Sequence, residues 1–146
     1  MPRVVVSTET TLPPQKVVEL LTDFTPRRPE IWPGLWEGAY EVFSVTPTSA
    51  EVREGNKSPK VWAREHYDWS KPGVVRWEVV ESNFCAPGSY VETKIDERED
   101  GGSRLTVTWN RKPTSPMGKI TAALIVLTRG APVKASLKAG IKKAGG

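Results

Sequence analysis

Cysteine and histidine are almost absent from the 146-residue chain, which has one of each, Cys85 and His66. A single cysteine cannot form an intramolecular disulfide, so the disulfide-stapled class of secreted domains is excluded. The two side chains lie 19 residues apart and match no zinc-binding spacing, and we therefore expect no metal site. Cys85 lies in the loop-like segment SNFCAPG with no evident activating partner, which disfavours a nucleophilic role.

Long apolar runs are also missing. The longest, ITAALIVL at 120–127, is too short to cross a bilayer. The first residues, MPRVVVSTET, lack the apolar core and cleavage site of a signal peptide. These features predict a cytoplasmic protein with no stable membrane insertion.

Acidic residues are absent from the C-terminal segment. From Arg111 onward there are eight lysines and arginines and no acidic residue, which leaves 13 basic and 17 acidic residues in 1–110. The net charge of +4 therefore comes from this segment, and the mildly acidic body argues against a nucleic-acid partner. The C-terminal lysines fit contact with an anionic membrane or an ordinary solvated helix face, and the narrow apolar stripe beside them favours the second.

Hydrophobic residues make up 38% of the chain and charged residues 26%, a globular balance, and the length suits one domain over residues 1–146. Residues 3–10 predict a strand, and LPPQKVVELLTDF predicts a short helix with Pro14 in its first turn. Thr25 and Pro26 begin a second short helix. Period-two patterning then predicts six strands at 39–46, 50–55, 60–69, 74–81, 89–97 and 104–112, separated by TPTS, NKSP, SKPG, NFCAPG and EDGG.

The last part of the chain is predicted to be one long helix. Ser115 is a good N-cap and Pro116 a good first residue, while Pro132 should kink or interrupt the helix. The apolar stripe expected to pack on the sheet comprises Met117, Ile120, Leu124, Leu127 and Ala131, and continues with Val133, Leu137 and Ile141.

This layout resembles the START-like, or Bet v 1-like, helix-grip superfamily, including bacterial polyketide cyclase/dehydrase-like (SRPBCC) proteins. The resemblance covers essentially the whole chain and rests on LPPQKVVELLTDF, PEIWPG, EHYDWSKPGVVRWEV, EDGGSRLTVTW and SPMGKI. It implies an α+β fold in which a curved antiparallel sheet of about seven strands wraps a long C-terminal helix, with two short helices after strand 1. It also implies an apolar cavity between sheet and helix. The superfamily includes lipid carriers, cyclases and co-chaperones, and its fold does not fix a function.

The hairpin VWAREHYDWSKPGVVRWEVV at 61–80 raises the question of which face lines that cavity. A tight turn at 70–73 would place His66 opposite Trp77 and Arg64 opposite Val79, with Trp62, Arg64, His66 and Asp68 facing inward. A slip of one residue would exchange the two faces. With the tight register, we predict ligand contacts from Trp62, Arg64, His66, Trp77, Val91, Ile95, Leu105, Val107, Trp109 and Leu124.

Three functions remain open. The favoured one is binding or transport of a hydrophobic small molecule (a lipid, a polyketide or an isoprenoid-like compound), because a cavity needs no catalytic group and histidine and cysteine are scarce. The second is a polyketide cyclase or dehydratase in which cavity His66 or Arg64, or else Tyr67, moves protons. The third is a co-chaperone or ribosome-associated protein-binding module, which requires an exposed apolar patch. No cofactor is expected, and the sequence leaves ligand identity and oligomeric state open.

The tryptophans of PEIWPGLWEG also have two interpretations. Trp32 and Trp36 could gate the cavity mouth, because lids are commonly loop-borne. They could instead be aromatic plugs that seal one end of the core, which is the favoured interpretation.

Overall fold

One antiparallel sheet carries the fold in the computed structural model, which describes residues 3–58 and 60–145. Residues 1, 2 and 146 of the predicted domain, and Pro59 of the predicted NKSP turn, lie outside these ranges. Within them the sheet has seven strands in the order β1-β7-β6-β5-β4-β3-β2. Their bounds are Val4–Thr10 (β1), Glu41–Val45 (β2), Ser49–Asn56 (β3), Val61–Asp68 (β4), Val74–Ser82 (β5), Tyr90–Glu97 (β6) and Ser103–Asn110 (β7).

Helices lie at two places in the chain. Helices α1 (Pro14–Leu21) and α2 (Arg28–Ile31) and a 3-10 turn at Glu37–Ala39 connect β1 to β2. Helices α3 (Pro116–Leu127) and α4 (Ala131–Lys143) follow β7. The predicted α+β helix-grip class, with its seven strands and two early helices, is confirmed.

The sheet buries one face because its strands alternate. In β7, Leu105, Val107 and Trp109 are buried, and in β6 Val91 and Ile95 are buried. Strand β1 pairs with β7, with Val6 opposite Val107. Helix α1 adds Val17, Leu20 and Leu21 to the same core, and α4 adds Leu137 and Ile141.

The predicted interruption of the long C-terminal helix near Pro132 is present, and it divides the helix into α3 and α4, which meet at 86°. Arg129 and Gly130 have φ angles of 55° and 82°, and the Gly130 amide donates to the Ile125 carbonyl at 2.7 Å. This left-handed pair ends α3, so Pro132 lies in the first turn of α4 rather than at a kink. No single helix in the described ranges is long and apolar enough to cross a bilayer, and α3 with α4 reaches that length and composition only as a bent pair.

The predicted inward stripe of α3, by contrast, is wrong. Gly118, Ala122 and Ile125 face the core, whereas Met117, Ile120, Leu124 and Leu127 are exposed. Gly118 decides the face, since a Cβ there would lie 2.2 Å from the Phe84 carbonyl oxygen. The Ser115 hydroxyl accepts from the Gly118 amide at 2.9 Å and fixes the first turn in this rotation.

The predicted register of the β4–β5 hairpin is wrong by one residue. Tyr67 pairs with Trp77, and His66 pairs with Glu78. The connection is longer than the tight turn assumed, because Asp68 accepts hydrogen bonds from the Ser70 amide and hydroxyl and draws the bend toward β4. The inward face of β4 consequently consists of Ala63, Glu65 and Tyr67.

Candidate functional site

A cavity of about 380 Å³ lies between the concave face of the sheet and the C-terminal helices. A neighbouring compartment of about 320 Å³ shares Trp32, Glu54 and Trp109 with it. The walls of the first are largely apolar and aromatic, with a few polar groups, which is typical of ligand sites. Its lining includes Leu21, Arg28, Trp32, Glu54, Trp77, Val91, Thr93, Val107, Trp109, Arg111, Ile125, Val133 and Leu137.

A buried polar cluster joins α2 to the sheet at one wall. The Arg28 guanidinium donates from Nε to Glu54 Oε2 at 2.8 Å and from Nη2 to the Tyr67 hydroxyl at 3.2 Å. Its Nη1 donates to the carbonyl oxygens of Leu21 and Asp23 at 3.0 and 3.1 Å. The Tyr67 hydroxyl donates to the other Glu54 oxygen. Each of the three guanidinium nitrogens of Arg28 therefore has a partner within the protein.

Burial and charge set the protonation of this cluster. Burial lowers the pKa of Arg28, but Glu54 and Tyr67 more than offset it, so the pKa of the guanidinium is raised. Burial, followed by the charge of Glu54, raises the pKa of the Tyr67 phenol well above its usual value. At neutral pH the arginine is thus charged and the phenol keeps its proton.

Aromatic rings hold the cluster in place. Tyr67 stacks on Trp77 with ring centroids 5.2 Å apart, and Phe24 meets Tyr67 edge-on at 4.8 Å. The Arg28 guanidinium carbon lies 4.5 Å from the Phe24 ring centroid. These contacts place aromatic rings against the buried polar groups and restrict their side-chain conformations.

A second buried ion pair lies deeper, where Arg111 Nη2 approaches Glu65 Oε2 at 3.2 Å. Burial raises the pKa of the Glu65 carboxyl by more than the Arg111 charge lowers it. Arg111 also lies 3.8 Å from the sulfur of Cys85, which is buried. A buried carboxyl of raised pKa is a candidate proton donor.

Two buried polar atoms at the cavity have no hydrogen-bond partner among the described residues. These are the Trp32 indole nitrogen and the Thr93 hydroxyl oxygen. Both residues line the cavity. Because unpartnered buried polar groups are costly, a ligand that reached either atom would gain by supplying its missing hydrogen bond.

The structure separates the predicted ligand-contact residues into three groups. Trp77, Val91, Val107 and Trp109 line the cavity. Ile95 and Leu105 are packed in the core. Trp62, Arg64, His66 and Leu124 do not line it: the first three lie on the outer face of β4 because of the register, and Leu124 on the outer face of α3.

The residues of β4 that were predicted to face inward make surface contacts instead. Arg64 pairs with Glu51 and lies 4.1 Å from the Phe43 ring centroid, while His66 is exposed. The acid–base role suggested for His66 or Arg64 is therefore wrong, because neither side chain lines the cavity. Trp62 borders a small groove on the outside with Trp36. Of the two tryptophans in PEIWPGLWEG, only Trp32 lines the cavity.

Sequence reasoning missed Arg28, Glu54, Glu65 and Arg111. Glu65 and Tyr67 lie on the same face of β4 as Ala63. The other possible register of the hairpin would therefore have placed both residues inward. No local signal marks Arg28, whose two side-chain partners lie 26 and 39 residues away. No group of three or more His, Cys, Asp or Glu side chains suited to a metal ion occurs in the described part of the chain.

Comparison with solved structures establishes the fold as START-like, or SRPBCC, helix-grip. The Zhui aromatase/cyclase from Streptomyces sp. R1128 superposes with a TM-score of 0.78 at 15% identity, over 98% of this chain and 93% of that one. The STAR-related lipid transfer protein from Xanthomonas axonopodis gives 0.67 at 18%, over 94% and 84%. Norcoclaurine synthase from Thalictrum flavum gives 0.71 at 12%, over 98% and 86%.

No protein-family model matches the sequence, and no curated protein matches it. The likeness to known proteins is therefore one of fold. A specific function has to be argued from the cavity itself.

Proposed function

We propose that the protein binds an uncharged, ring-containing small molecule with one or two oxygen atoms in the cavity between the sheet and the C-terminal helices. The observation that carries this proposal is the combination of three tryptophan walls, Trp32, Trp77 and Trp109, with the unpartnered Thr93 hydroxyl and Trp32 indole N–H. Flat apolar walls favour rings, and the two free polar atoms favour an oxygen that both accepts and donates.

Charge pairing within the cavity argues for a neutral ligand. Arg28 is matched by Glu54, and Arg111 by Glu65, so each buried guanidinium already has a carboxyl partner before any ligand enters. A charged ligand would be buried without a free counter-charge, which is unfavourable. The volume of about 380 Å³ lies near the small end of the range for ligand sites.

The names of the compared proteins support this class of ligand. They include an aromatase/cyclase and a lipid transfer protein, whose names point to ring-forming chemistry and to lipids. A small polyketide-like or isoprenoid-like compound is consistent with the names of these proteins and with the size and lining of the cavity.

The test is mass spectrometry of an organic extract of the protein purified from its native host. A Val91→Trp variant, which fills the cavity, serves as the negative control, and Val80→Trp on the exposed outer face of β5 as its match. We expect a neutral ring compound with wild type and Val80→Trp but not with Val91→Trp. The same compound in all three would contradict binding in the cavity.

A second candidate function is favoured by Glu65, a buried carboxyl of raised pKa that lines the neighbouring compartment with Tyr67. These two residues could move protons in a cyclisation or dehydration, the role earlier assigned to His66. The test is turnover of a linear poly-ketone thioester by wild type and Glu65→Gln. If Glu65→Gln loses turnover but still binds the product, the result would favour the enzymatic function.

A further inference from the structure

Helix α3 is apolar on every side, which is unusual for a helix at a protein surface. Its only charged residue is Lys119. Small residues and Ile125 face the core, while Ile120, Leu124 and Leu127 point away from it with 63%, 54% and 81% of their surface exposed. These three residues define the α3 outer face. A surface helix normally presents polar residues there, so this face is without its expected environment.

Exposed basic residues lie on α3 and in the chain that follows it. Lys119 lies on α3, Arg129 at the corner, and Lys138 and Lys142 on α4, all exposed. None of them forms a salt bridge with another residue in 3–58 or 60–145, and the chain from 111 onward has no acidic residue. The sheet differs, because its outer charges are cross-paired, as in Arg76 with Glu92.

We propose that the α3 outer face docks on the surface of an anionic lipid bilayer. Ile120, Leu124 and Leu127 would enter the boundary between headgroups and acyl chains, and the basic residues would contact the anionic headgroups. A helix of 12 residues is about 18 Å long, so it lies in the interface rather than crossing the membrane.

Charge favours a bilayer over a second copy of the chain. A two-fold interface built on the α3 outer face would bring the same basic residues of both copies together. The C-terminal segment offers no acidic residue to compensate that repulsion. An anionic membrane supplies both the apolar environment and the opposite charge.

The docked orientation has a structural consequence. Ile125, on the opposite side of α3, lines the cavity. The helix that covers the cavity would thus be the one that lies on the bilayer. Docking needs no ligand, so it is tested independently of what the cavity binds.

Vesicle sedimentation tests the proposal. The probes are vesicles of phosphatidylcholine alone and of phosphatidylcholine mixed with phosphatidylglycerol, at low and physiological salt. We expect wild type to bind the mixed vesicles and to bind the neutral ones more weakly. Its binding to the mixed vesicles should weaken as the salt concentration rises. A triple variant, Ile120→Ser, Leu124→Ser and Leu127→Ser, should lose at least about tenfold in partitioning.

The matched control changes three exposed valines of the sheet, Val5→Ser, Val45→Ser and Val80→Ser, which are 52%, 54% and 46% exposed. It should bind like wild type. A charge variant, Lys119→Glu with Arg129→Glu, should also weaken binding to mixed vesicles and keeps the test decisive if the triple variant fails to fold.

Three results would overturn the proposal. The first is no binding of wild type to mixed vesicles at low salt. The second is equal binding by wild type and both α3 variants. The third is a wild-type dimer in sedimentation equilibrium that the triple variant converts to a monomer without any vesicle binding, which would assign the α3 outer face to self-association.

Discussion

At the residue scale, the cavity wall is organised by side chains that neutralise one another. Arg28 uses three nitrogen atoms on four acceptors, and Glu54 receives both the guanidinium and the Tyr67 hydroxyl. Buried charges are tolerated when they are paired and hydrogen-bonded, and they become destabilising when one partner is removed. The cluster therefore supports the cavity while remaining sensitive to single substitutions.

Substitution Tyr67→Phe tests the hydroxyl in this cluster. It keeps the ring stack on Trp77 but removes a donor to Glu54 and an acceptor from Arg28, so we expect a loss of about 1–3 kcal/mol in the free energy of unfolding. The measurement is urea denaturation. The control is Tyr90→Phe, whose hydroxyl makes no hydrogen bond within the described ranges. Equal effects of the two substitutions would contradict the role of the cluster.

The Glu65 carboxyl makes a pH-dependent contribution. Its pKa in the folded protein is raised from the ordinary value of 4.5, so the folded state binds the proton more tightly than the unfolded chain. The stability that Glu65 contributes is fully present below about pH 4.5, and it is lost as the pH rises through the folded-state pKa. The unfolding free energy of wild type minus that of Glu65→Gln should therefore fall as pH rises above this value.

Urea denaturation at several pH values checks this difference, with the exposed Glu81→Gln as control. A difference that grows with pH would mean that the Arg111 charge outweighs burial at Glu65. A flat difference would mean that the two balance.

At the scale of elements, the sequence predicted most of the fold but not every face. Strands β6 and β7 alternate cleanly, so their inward residues followed directly. The β4–β5 hairpin has mixed residues on both faces, and its register depended on a turn that Asp68 and Ser70 enlarge. Helix α3 is apolar all round, so periodicity could not choose its buried side, which depends on the close approach at Gly118.

The corner between α3 and α4 depends on Gly130. A Cβ there would lie 2.4 Å from a Val6 methyl carbon and 2.7 Å from one of Val4, and φ is 82°. Gly88 has a similar φ of 87° and open space around it, so Gly88→Ala isolates the backbone strain. We expect Gly88→Ala to cost about 1 kcal/mol and Gly130→Ala about 1–3 kcal/mol more in thermal unfolding.

Equal losses in the two alanine variants would contradict close packing of the corner on β1. A larger loss in Gly130→Ala would show that the bend is held by contact with the sheet. The angle between α3 and α4 would then be a property of the fold rather than of the loop alone.

At the scale of the whole molecule, the site follows from long-range pairing that the sequence does not display. Val91, Val107 and Trp109 could be placed at the cavity from strand alternation alone. The ion pairs could not, because Glu65 lies on β4 and Arg111, 46 residues later, directly follows β7. The charge pairing of the cavity, on which the proposal of a neutral ligand rests, forms only when these segments and α2 come together.

That balance gives a prediction about ligand selection. With 2-naphthol and 2-naphthoate as probes, wild type should prefer the neutral naphthol, because Arg28 is already matched by Glu54. Glu54→Gln leaves the buried Arg28 charge unmatched, which should destabilise the fold and create a site for a carboxylate. The melting temperature of Glu54→Gln should therefore rise with 2-naphthoate and change little with 2-naphthol.

Glu51→Gln provides the matched control, because Glu51 pairs with Arg64 on the outer face of the sheet. It should keep the wild-type preference, since its charge is remote from the cavity lining. Stabilisation of Glu54→Gln by 2-naphthoate but not of Glu51→Gln would place the carboxylate beside Arg28. If instead both variants respond alike, or wild type already prefers 2-naphthoate, then paired charges do not determine which ligand the cavity accepts, and the choice has to come from shape.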